Sequence, residues 1–539
     1  MADDKDTCNV LKDGATRDDP VRNEHAPTLG KGAYATVIEK GDDAIKCYTV
    51  PAETGLSCAY REIDMLSRLK HPHIIGYRGC YLGQIERSIP EGEQDGELHI
   101  VMERAECDMY KLIRSGGTSE EEAQGYIVDI LLGVDYLHIN GIIHRDLSIG
   151  NVLQMKNHKL AICDLGMAKW FIGNTEPNGL YVNEGYRSPE MQASSWHNEK
   201  MDIWSVGVIL HCLLLGHNPF RPRKTGTTVS DALICHILKH IPLTPSVEVI
   251  QKWIRRCCEI WKSVDVPVED RISSLNTTVD RIIRMRDRRP PVSSRFSEQC
   301  QDFLAQAMCF HVHRRASARE LLRHPWLSSY AEHINRMLRD YNVPTKEVLY
   351  PRILISPHSS IREAVGAYIR SIKSSFAQRT GENRTNRLCL SLVLFYRLLA
   401  TEDKWVKSDV AAGYIIPLYI VCLIISIKYY CTNTVASTIL DIIPRYLRRS
   451  CNKSYRMTRE WYVLNSLSFR LYEPTTYDYS VLLGVALQGD DRDCLWEYYL
   501  TIGRGEHEVK KEIEGALKKN IIQPLINNTT SGVQPVLVV

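Results

Sequence analysis

The chain lacks the cysteine spacing of a structural zinc site. Its 17 cysteines are an odd number, they are scattered, and none forms a C-x-x-C pair, so neither a zinc ribbon nor a disulfide framework is favoured. Net charge is also scarce, at +3, which argues against nucleic acid as the main partner. The start, MADDKDTCNVLKD, is acidic and has no apolar core, unlike a signal peptide. We therefore expect a reduced, intracellular protein, in the nucleus or the cytoplasm.

Long uncharged runs are scarce as well, with one exception. Residues 410–427, VAAGYIIPLYIVCLIISI, carry no charge and just reach the length of a membrane span. The same run fits a central helix that is buried on all sides in a helical domain. Periodicity does not separate these two interpretations, but the flanking sequence described below disfavours the membrane.

The length and composition indicate more than one globular domain. The chain has 539 residues, 44% apolar and 24% charged, which suits two or more domains of ordinary composition. Residues 1–25 are acidic and poor in large apolar residues, so a disordered tail is expected there.

The most informative stretch is the octet HRDLSIGN at 144–151, followed by DLG at 164–166. Phosphoryl transfer needs one carboxylate to orient the attacking hydroxyl, and a second carboxylate with an amide oxygen to hold Mg²⁺ on the nucleotide. Asp146, Asp164 and Asn151 supply these groups at the required spacing. The stretch resembles the catalytic and metal-binding loops of protein kinases, which implies ATP and Mg²⁺ as cofactors.

Upstream residues extend this resemblance. LGKGAYATV at 29–37 is similar to a glycine-rich nucleotide loop in which small residues let backbone N–H groups approach the phosphates, although Ala35 replaces the third glycine. The resemblance implies that Lys46 contacts the α and β phosphates and that Glu62, in the helix that follows, holds Lys46. The implied ATP-binding residues are Leu29, Gly30, Lys31, Gly32, Ala33, Tyr34, Ala35, Thr36, Val37, Lys46, Glu103, Ala105, Asp108 and Leu153.

Further downstream, Glu190 in the sequence SPE is expected to pair with Arg315 in HRRASARELL. The resemblance to protein kinases covers residues 26–327, which we assign as a kinase domain.

Several segments resemble cyclin-dependent kinases in particular. GLSCAYREIDMLSRLKHPHII, starting at Gly55, is similar to the PSTAIRE helix of that subfamily, and SDALICHILKHIPLTP is similar to its C-lobe insert. Val182 and Arg187 match the residues that shape a pocket for proline after the target Ser or Thr. The resemblance implies protein substrates phosphorylated on Ser or Thr before proline; generic kinase packing is the alternative explanation of each match.

Two departures affect catalysis. Ser148 stands where Ser/Thr kinases carry a lysine that helps the transferring phosphate, and Asn183 replaces the threonine that meets that lysine. Loss of such an electrostatic contribution is often worth a few kcal/mol. The two changes lie at partner positions, so we hypothesise that they compensate.

A third departure affects regulation. Asn178 lies near the position of the usual activating threonine, and we hypothesise that Glu176 or a backbone contact replaces the phosphate, with Thr175 as the rival site. Tyr34 matches an inhibitory phosphotyrosine. The phosphate pocket is retained as Arg61, Arg145 and Lys169.

The second half lacks kinase features. Residues 328–359 are polar and punctuated by proline and are predicted to be a linker, and residues 481–539 are predicted to form a helical remainder and a tail. Residues 360–480 resemble a cyclin box, in which four helices bury the middle one. Lys428 and Glu460 match the pair by which cyclins grip the kinase. Taken singly, each has a simpler explanation, a helix-end cation for Lys428 and a solvated helical face for Glu460.

One cyclin position departs from the pattern, and it weakens a possible substrate-docking patch. Tyr396 replaces the aspartate that pairs with the arginine matched by Arg362.

Together these resemblances imply an α+β bilobal protein-kinase fold followed by an all-α cyclin-box-like helical domain. The expected function is a Ser/Thr kinase activated by intramolecular docking of its cyclin-like half, with no nucleic-acid partner. Such a protein would suit a virus acting in a host cell, although no residue shows a viral origin. The alternatives are a pseudokinase adaptor, which Ser148 and Asn183 keep open, and an active kinase whose helical half binds another protein or a membrane.

Overall fold

A computed structural model gives the fold of most of the chain. Some of the predictions concern segments that it leaves undescribed, namely the acidic tail, much of the linker and the C-terminal remainder. The residues described are 27–32, 35–49, 53–84, 96–113, 117–170, 184–193, 198–218, 247–260, 268–270, 272–273, 275–277, 296–342, 361, 364–372, 384–401, 403–430 and 453–471.

An antiparallel sheet of five strands forms the N-terminal lobe, in the order β1-β2-β3-β5-β4. The turn between β2 and β3 contains Gly41 at a φ of +61°, a conformation that glycine adopts without steric cost. The middle strand β3 is buried along Ala44–Tyr48, because β2 and β5 flank it and the first helix covers it. The strands are Thr28–Lys31 (β1), Ala35–Lys40 (β2), Asp43–Thr49 (β3), Tyr77–Gln84 (β4) and Gly96–Glu103 (β5).

A helical lobe follows the sheet. Helix α2 begins at a capping box in which Ser119 and Glu122 satisfy each other's backbone N–H groups. Helix α4 is apolar around most of its circumference and is buried from Met201 to Leu214, as expected of a central helix. The helices of the kinase half are Glu53–Leu66 (α1), Glu120–Ile139 (α2), Pro189–Gln192 (α3), Lys200–Leu215 (α4), Val247–Ile260 (α5), Glu298–Ala307 (α6), Ala318–Leu321 (α7) and Ala331–Asp340 (α8).

Short strands and 3₁₀ turns occur in the segments that connect these longer elements. Strands β6, β8 and β9 form one small sheet, and β7 pairs with β10 in another. The 3₁₀ turns are Met109–Lys111, Ile149–Asn151, Leu165–Met167, Glu184–Tyr186 and Pro325–Tyr330. The strands are Cys107–Asp108 (β6), Ile142–Ile143 (β7), Val152–Gln154 (β8), Leu160–Ile162 (β9) and Lys169–Trp170 (β10).

The structure differs from the predicted linker at its start. Helix α8 lies within it and packs on α2 and on the turn Pro325–Tyr330. The helix forms because Ile334 and Met337, three positions apart, share one buried face. The kinase half therefore extends to about Asn342.

The helical half consists of Arg384–Leu399 (α9), Lys404–Ala411 (α10), Ile415–Tyr430 (α11) and Lys453–Ser466 (α12), with residues 364–372 also helical. The uncharged run at 410–427 is divided between α10 and α11 by a turn at Gly413, whose φ is +82°. Every residue from Pro417 to Tyr429 is buried, and α11 packs against α9, α12 and α1. Among the described helices, none combines the length and apolar character needed to cross a bilayer.

Candidate active site

A buried lysine on the middle strand of the N-terminal sheet links two carboxylates. Lys46 Nζ lies 2.8 and 3.1 Å from the two Glu62 oxygens and 2.9 Å from Asp164 Oδ1. Lys46 projects from β3, Glu62 from the middle of α1, and Asp164 from the loop before the turn Leu165–Met167. The sequence predicted that Glu62 holds Lys46 and assigned Asp164 to the metal site; the structure brings all three side chains together.

The ionisation of these groups follows from their contacts. Burial disfavours charge on Lys46, but Asp164 and Glu62 outweigh it and raise the pKa of the amine well above its usual value. Burial likewise opposes the charge on Asp164, yet Lys46 prevails and lowers the pKa of this carboxyl. The side chain of Asp164 keeps 41% of its surface exposed. An ionised, partly open carboxylate of this kind fits the binding of a hard cation.

One contact in this cluster was not foreseen from the sequence. Tyr48 donates a hydrogen bond of 2.5 Å to Glu62 Oε2. Because Tyr48 lies two residues after Lys46 on β3, both side chains point to the same face of the strand. The spacing of Lys46 and Tyr48 was the signal in the sequence that could have revealed this contact. The Tyr48 hydroxyl gives Glu62 a second hydrogen-bond donor.

The catalytic loop orients Asp146 and Asn151 towards each other. Asn151 Nδ2 donates to the Asp146 carbonyl at 2.7 Å and lies 3.3 Å from Asp146 Oδ2. With the amide nitrogen committed to Asp146, the Asn151 side-chain oxygen is the atom presented to a cation. The donor set of Asn151 and Asp164, both oxygen ligands, suits Mg²⁺.

Asp202, on helix α4, holds the backbone of the catalytic loop in place. Its two oxygens accept hydrogen bonds from the backbone N–H groups of His144 and Arg145, each at 2.9 Å, and His138 Nε2 lies 2.9 Å from Oδ2. This support is needed because Arg145 has a φ of +69°, a left-handed conformation that costs free energy in a residue other than glycine.

The predicted pair of Arg315 and Glu190 is confirmed as a two-pronged contact, with distances of 2.7 and 2.9 Å. The ion pair connects helix α3, which carries Glu190, to the loop before α7, which carries Arg315. Such bidentate geometry is the strongest form of this ion pair.

The other predicted nucleotide-binding residues that the structure describes lie on or beside strands β1, β2, β5, β6 and β8. Val37 pairs with Lys46 across β2 and β3, and Asp108 pairs with Leu153 across β6 and β8. Glu103 is the last residue of β5, and Ala105 lies between β5 and β6. The residues named in the sequence analysis that lie outside the described segments are Ala33, Tyr34, Thr175, Glu176, Asn178, Val182, Asn183 and Arg362.

Comparison with known proteins identifies the family. The family model described as "Protein kinase domain" matches residues 24–327, which is more than half of the chain. The chain belongs to the protein kinase family.

Curated relatives of this kinase include both mitogen-activated and cyclin-dependent enzymes. It is 29% identical over 280 residues to mitogen-activated protein kinase mpkC of Emericella nidulans, covering 50% of this chain and 57% of that protein. It is 33% identical over 242 residues to mitogen-activated protein kinase 12 of Danio rerio, covering 43% and 63%. The cyclin-dependent kinase 4 homolog of Caenorhabditis elegans is 26% identical over 329 residues, covering 58% and 73%. These matches support a serine/threonine protein kinase.

The helical half contacts the kinase half along α1. Tyr60 donates a hydrogen bond of 2.5 Å to Glu460 Oε1, and Lys428 Nζ lies 2.7 and 2.9 Å from the Glu460 oxygens. Arg61 donates to two carbonyls, that of Tyr429 in α11 at 2.9 Å and that of Gly166 beside Asp164 at 3.0 Å. Glu460 therefore contacts α1 through Tyr60, and Lys428 pairs with Glu460; their role as the pair that grips the kinase stays a prediction.

A second buried carboxylate on α1, Asp64, receives four donors. The Arg68 guanidinium, the Trp170 indole, the Tyr429 hydroxyl and the Leu471 backbone N–H lie 2.8–3.0 Å from its oxygens. Two of these donors belong to the helical half, and Trp170 belongs to β10, directly after the DLG loop. Sequence reasoning missed Asp64, because its donors come from segments up to 407 residues away.

Proposed function

We propose that this kinase is an ATP-dependent Ser/Thr kinase of the cyclin-dependent type, whose helical half serves as its own cyclin-like activator. The observation that carries the proposal is that α1 is held from both sides at once. Glu62 on one side pairs with Lys46, while Tyr60, Arg61 and Asp64 contact the helical half.

The chemistry follows from the positions of the side chains. Asp146 orients the substrate hydroxyl, Lys46 and the backbone of the loop at 30–35 hold the phosphates, and Asn151 and Asp164 hold Mg²⁺. When bound, Mg²⁺ neutralises charge that develops on the phosphates. The proposed targets are Ser or Thr before proline, because the buried Arg187 occupies the position that shapes the proline pocket in cyclin-dependent kinases.

Activation in this scheme depends on α1. In protein kinases the Lys–Glu pair must be in place for transfer, and the helical half fixes the helix that carries Glu62. Covalent linkage raises the effective concentration of such a partner to the millimolar range. Activation would then require no separately supplied partner.

The adaptor alternative draws support from Ser148. This residue is 5% exposed and offers no cation to the transferring phosphate. In an adaptor the same α1 contacts would serve only to present the helical half to partners.

A peptide assay separates these functions. The full chain is expected to phosphorylate a Ser-Pro peptide in the presence of ATP and Mg²⁺, and a matched Ser-Ala peptide much less. Asp146→Asn is expected to abolish transfer, because it removes the carboxylate that orients the hydroxyl. Absence of Asp146-dependent transfer, with ATP binding retained, would favour the adaptor.

Self-activation is tested by removing the helical half. The truncation belongs after Asn342, because Asn342 Nδ2 donates to Leu132 O at 3.0 Å and to Asp135 Oδ2 at 2.7 Å and so anchors the end of the kinase half. Residues 1–342 are expected to lose most activity. Equal activity of the truncated and full chains, with both shown to be folded by circular dichroism, would refute self-activation.

A further inference from the structure

Three side chains of metal-ligand type meet in the kinase half, and none of them belongs to the site described above. His73 lies between α1 and β4, Asp129 on α2 and His333 on α8. Their ligand atoms all lie within 4.8 Å of one another, and His73 Nε2 is 3.6 Å from Asp129 Oδ1. Three distant segments of the chain thus converge on one point.

The hydrogen bonds of His73 determine which of its nitrogens faces the cluster. His73 Nδ1 lies 2.8 Å from the Leu160 carbonyl. A carbonyl oxygen only accepts, so Nδ1 carries the hydrogen, and in the neutral ring Nε2 carries a lone pair. This Nε2 is fully buried and has no hydrogen-bond partner. It faces a carboxylate oxygen, which is also an acceptor, so a cation between the two atoms would relieve their repulsion.

Leu160 orients both ligands through its backbone. Its carbonyl accepts from His73 Nδ1, and its N–H donates to Asp129 Oδ2 at 2.9 Å. The atoms left for the cluster are His73 Nε2 and Asp129 Oδ1. Metal-binding histidines characteristically donate their other ring N–H to a carbonyl or carboxylate, which fixes the tautomer and the ring plane.

We propose that His73, Asp129 and His333 bind a divalent cation of the zinc type. Two imidazole nitrogens and one carboxylate oxygen, with water in the fourth position, form a familiar zinc ligand set, whereas Mg²⁺ prefers oxygen ligands alone. Ligand atoms in tetrahedral zinc sites lie about 3.3 Å apart, close to the 3.6 Å between His73 and Asp129.

His333 is the ligand that has to adjust. Arg336 Nη2 lies 3.2 Å from His333 Nδ1, and ligation through either ring nitrogen requires Arg336 to turn away. Arg336 is exposed, so this rearrangement costs little. The positive charge of Arg336 also repels a bound cation, so replacing Arg336 is a second way to change the affinity for zinc. The bound metal would cross-link the segment after α1, α2 and α8.

Zinc titration of the full chain tests the site. Protein stripped with EDTA and dialysed is titrated with ZnCl₂ against a fluorescent indicator, and thermal unfolding is followed with and without zinc. Wild type is expected to bind one equivalent of zinc more than His333→Ala. Zinc is expected to raise the thermal unfolding midpoint of wild type by several degrees more than that of His333→Ala. Arg336→Ala is expected to tighten binding several-fold, because a repelling charge is removed.

His313→Ala is the matched control, since it removes an exposed histidine outside the cluster and should behave as wild type. Zinc held by cysteines would be common to all variants, so it cancels in the comparison. Equal zinc stoichiometry and equal zinc-induced shifts of the unfolding midpoint for wild type and His333→Ala would overturn the proposal and leave His73 and Asp129 as a buried pair without metal.

Discussion

The two sides of α1 carry buried carboxylates with different partners. Glu62 and Asp64 are both 0% exposed. Glu62 accepts from Lys46 and Tyr48, both on β3 of the same lobe. Asp64 accepts from four segments, two of them in the helical half. The first network assembles the nucleotide site within the kinase half, whereas the second is complete only when the helical half contributes its two donors.

Glu62→Gln tests the local side and should have the largest effect. Removing the carboxylate leaves Lys46 paired with Asp164 alone and no longer held for the phosphates. We expect kcat/KM for a Ser-Pro peptide to fall about 100-fold or more. Steady-state kinetics would measure this, and a loss below about threefold would show that the buried pair does not limit transfer.

Asp64→Asn tests the side that faces the helical half. An amide in place of the carboxylate turns an NH₂ group towards two of the four donors, since each Asp64 oxygen accepts from two of them. We therefore expect activity to fall about 10-fold and the free energy of unfolding to fall by about 3 kcal/mol. The control is Asp135→Asn, which alters a buried carboxylate bound by Arg319 and Asn342. That variant should lose stability but keep its activity per folded molecule; equal activity of both variants would remove Asp64 from the coupling.

A double-mutant cycle of Tyr60→Phe and Glu460→Gln sharpens the same contact. The hydrogen bond from Tyr60 to the charged Glu460 predicts a coupling free energy of about 1.5–3 kcal/mol. Hydrogen exchange of the α1 amides measures the free energy of local opening. Additive effects of the two substitutions would mean that this bond contributes nothing to docking.

Tyr48→Phe should have the smallest effect. Glu62 keeps its contact with Lys46, and only the tyrosine hydroxyl is lost. We therefore expect the free energy of unfolding to fall by about 1 kcal/mol and kcat/KM to decrease several-fold. Tyr110→Phe, at an exposed tyrosine, is the control. An effect as large as that of Glu62→Gln would make Tyr48, rather than Lys46, the main partner of Glu62.

The sequence predicted the local parts of this molecule better than the distant ones. Asp146, Asn151 and Asp164 were singled out from motif spacing, and the structure places Asn151 against Asp146. Helix α8 was missed because polar residues surround Ile334 and Met337 and outweighed their spacing.

The Asp64 cluster could not be predicted, since its donors are isolated residues that only tertiary packing brings together. The catalytic and regulatory roles assigned to single residues stay predictions. Tyr34, Thr175 and Asn183 lie outside the described residues.

The contact of Arg61 with the helical half has a consequence for how the two halves evolve. One guanidinium bonds a carbonyl beside Asp164 and a carbonyl of α11, so the residues on both sides of the contact are inherited as one unit. A substitution on one side can be compensated on the other within the same coding sequence. The interface can therefore diverge from that of any freely supplied partner. The contacts between Asp64 and the helical half can become specific to the two halves of this chain.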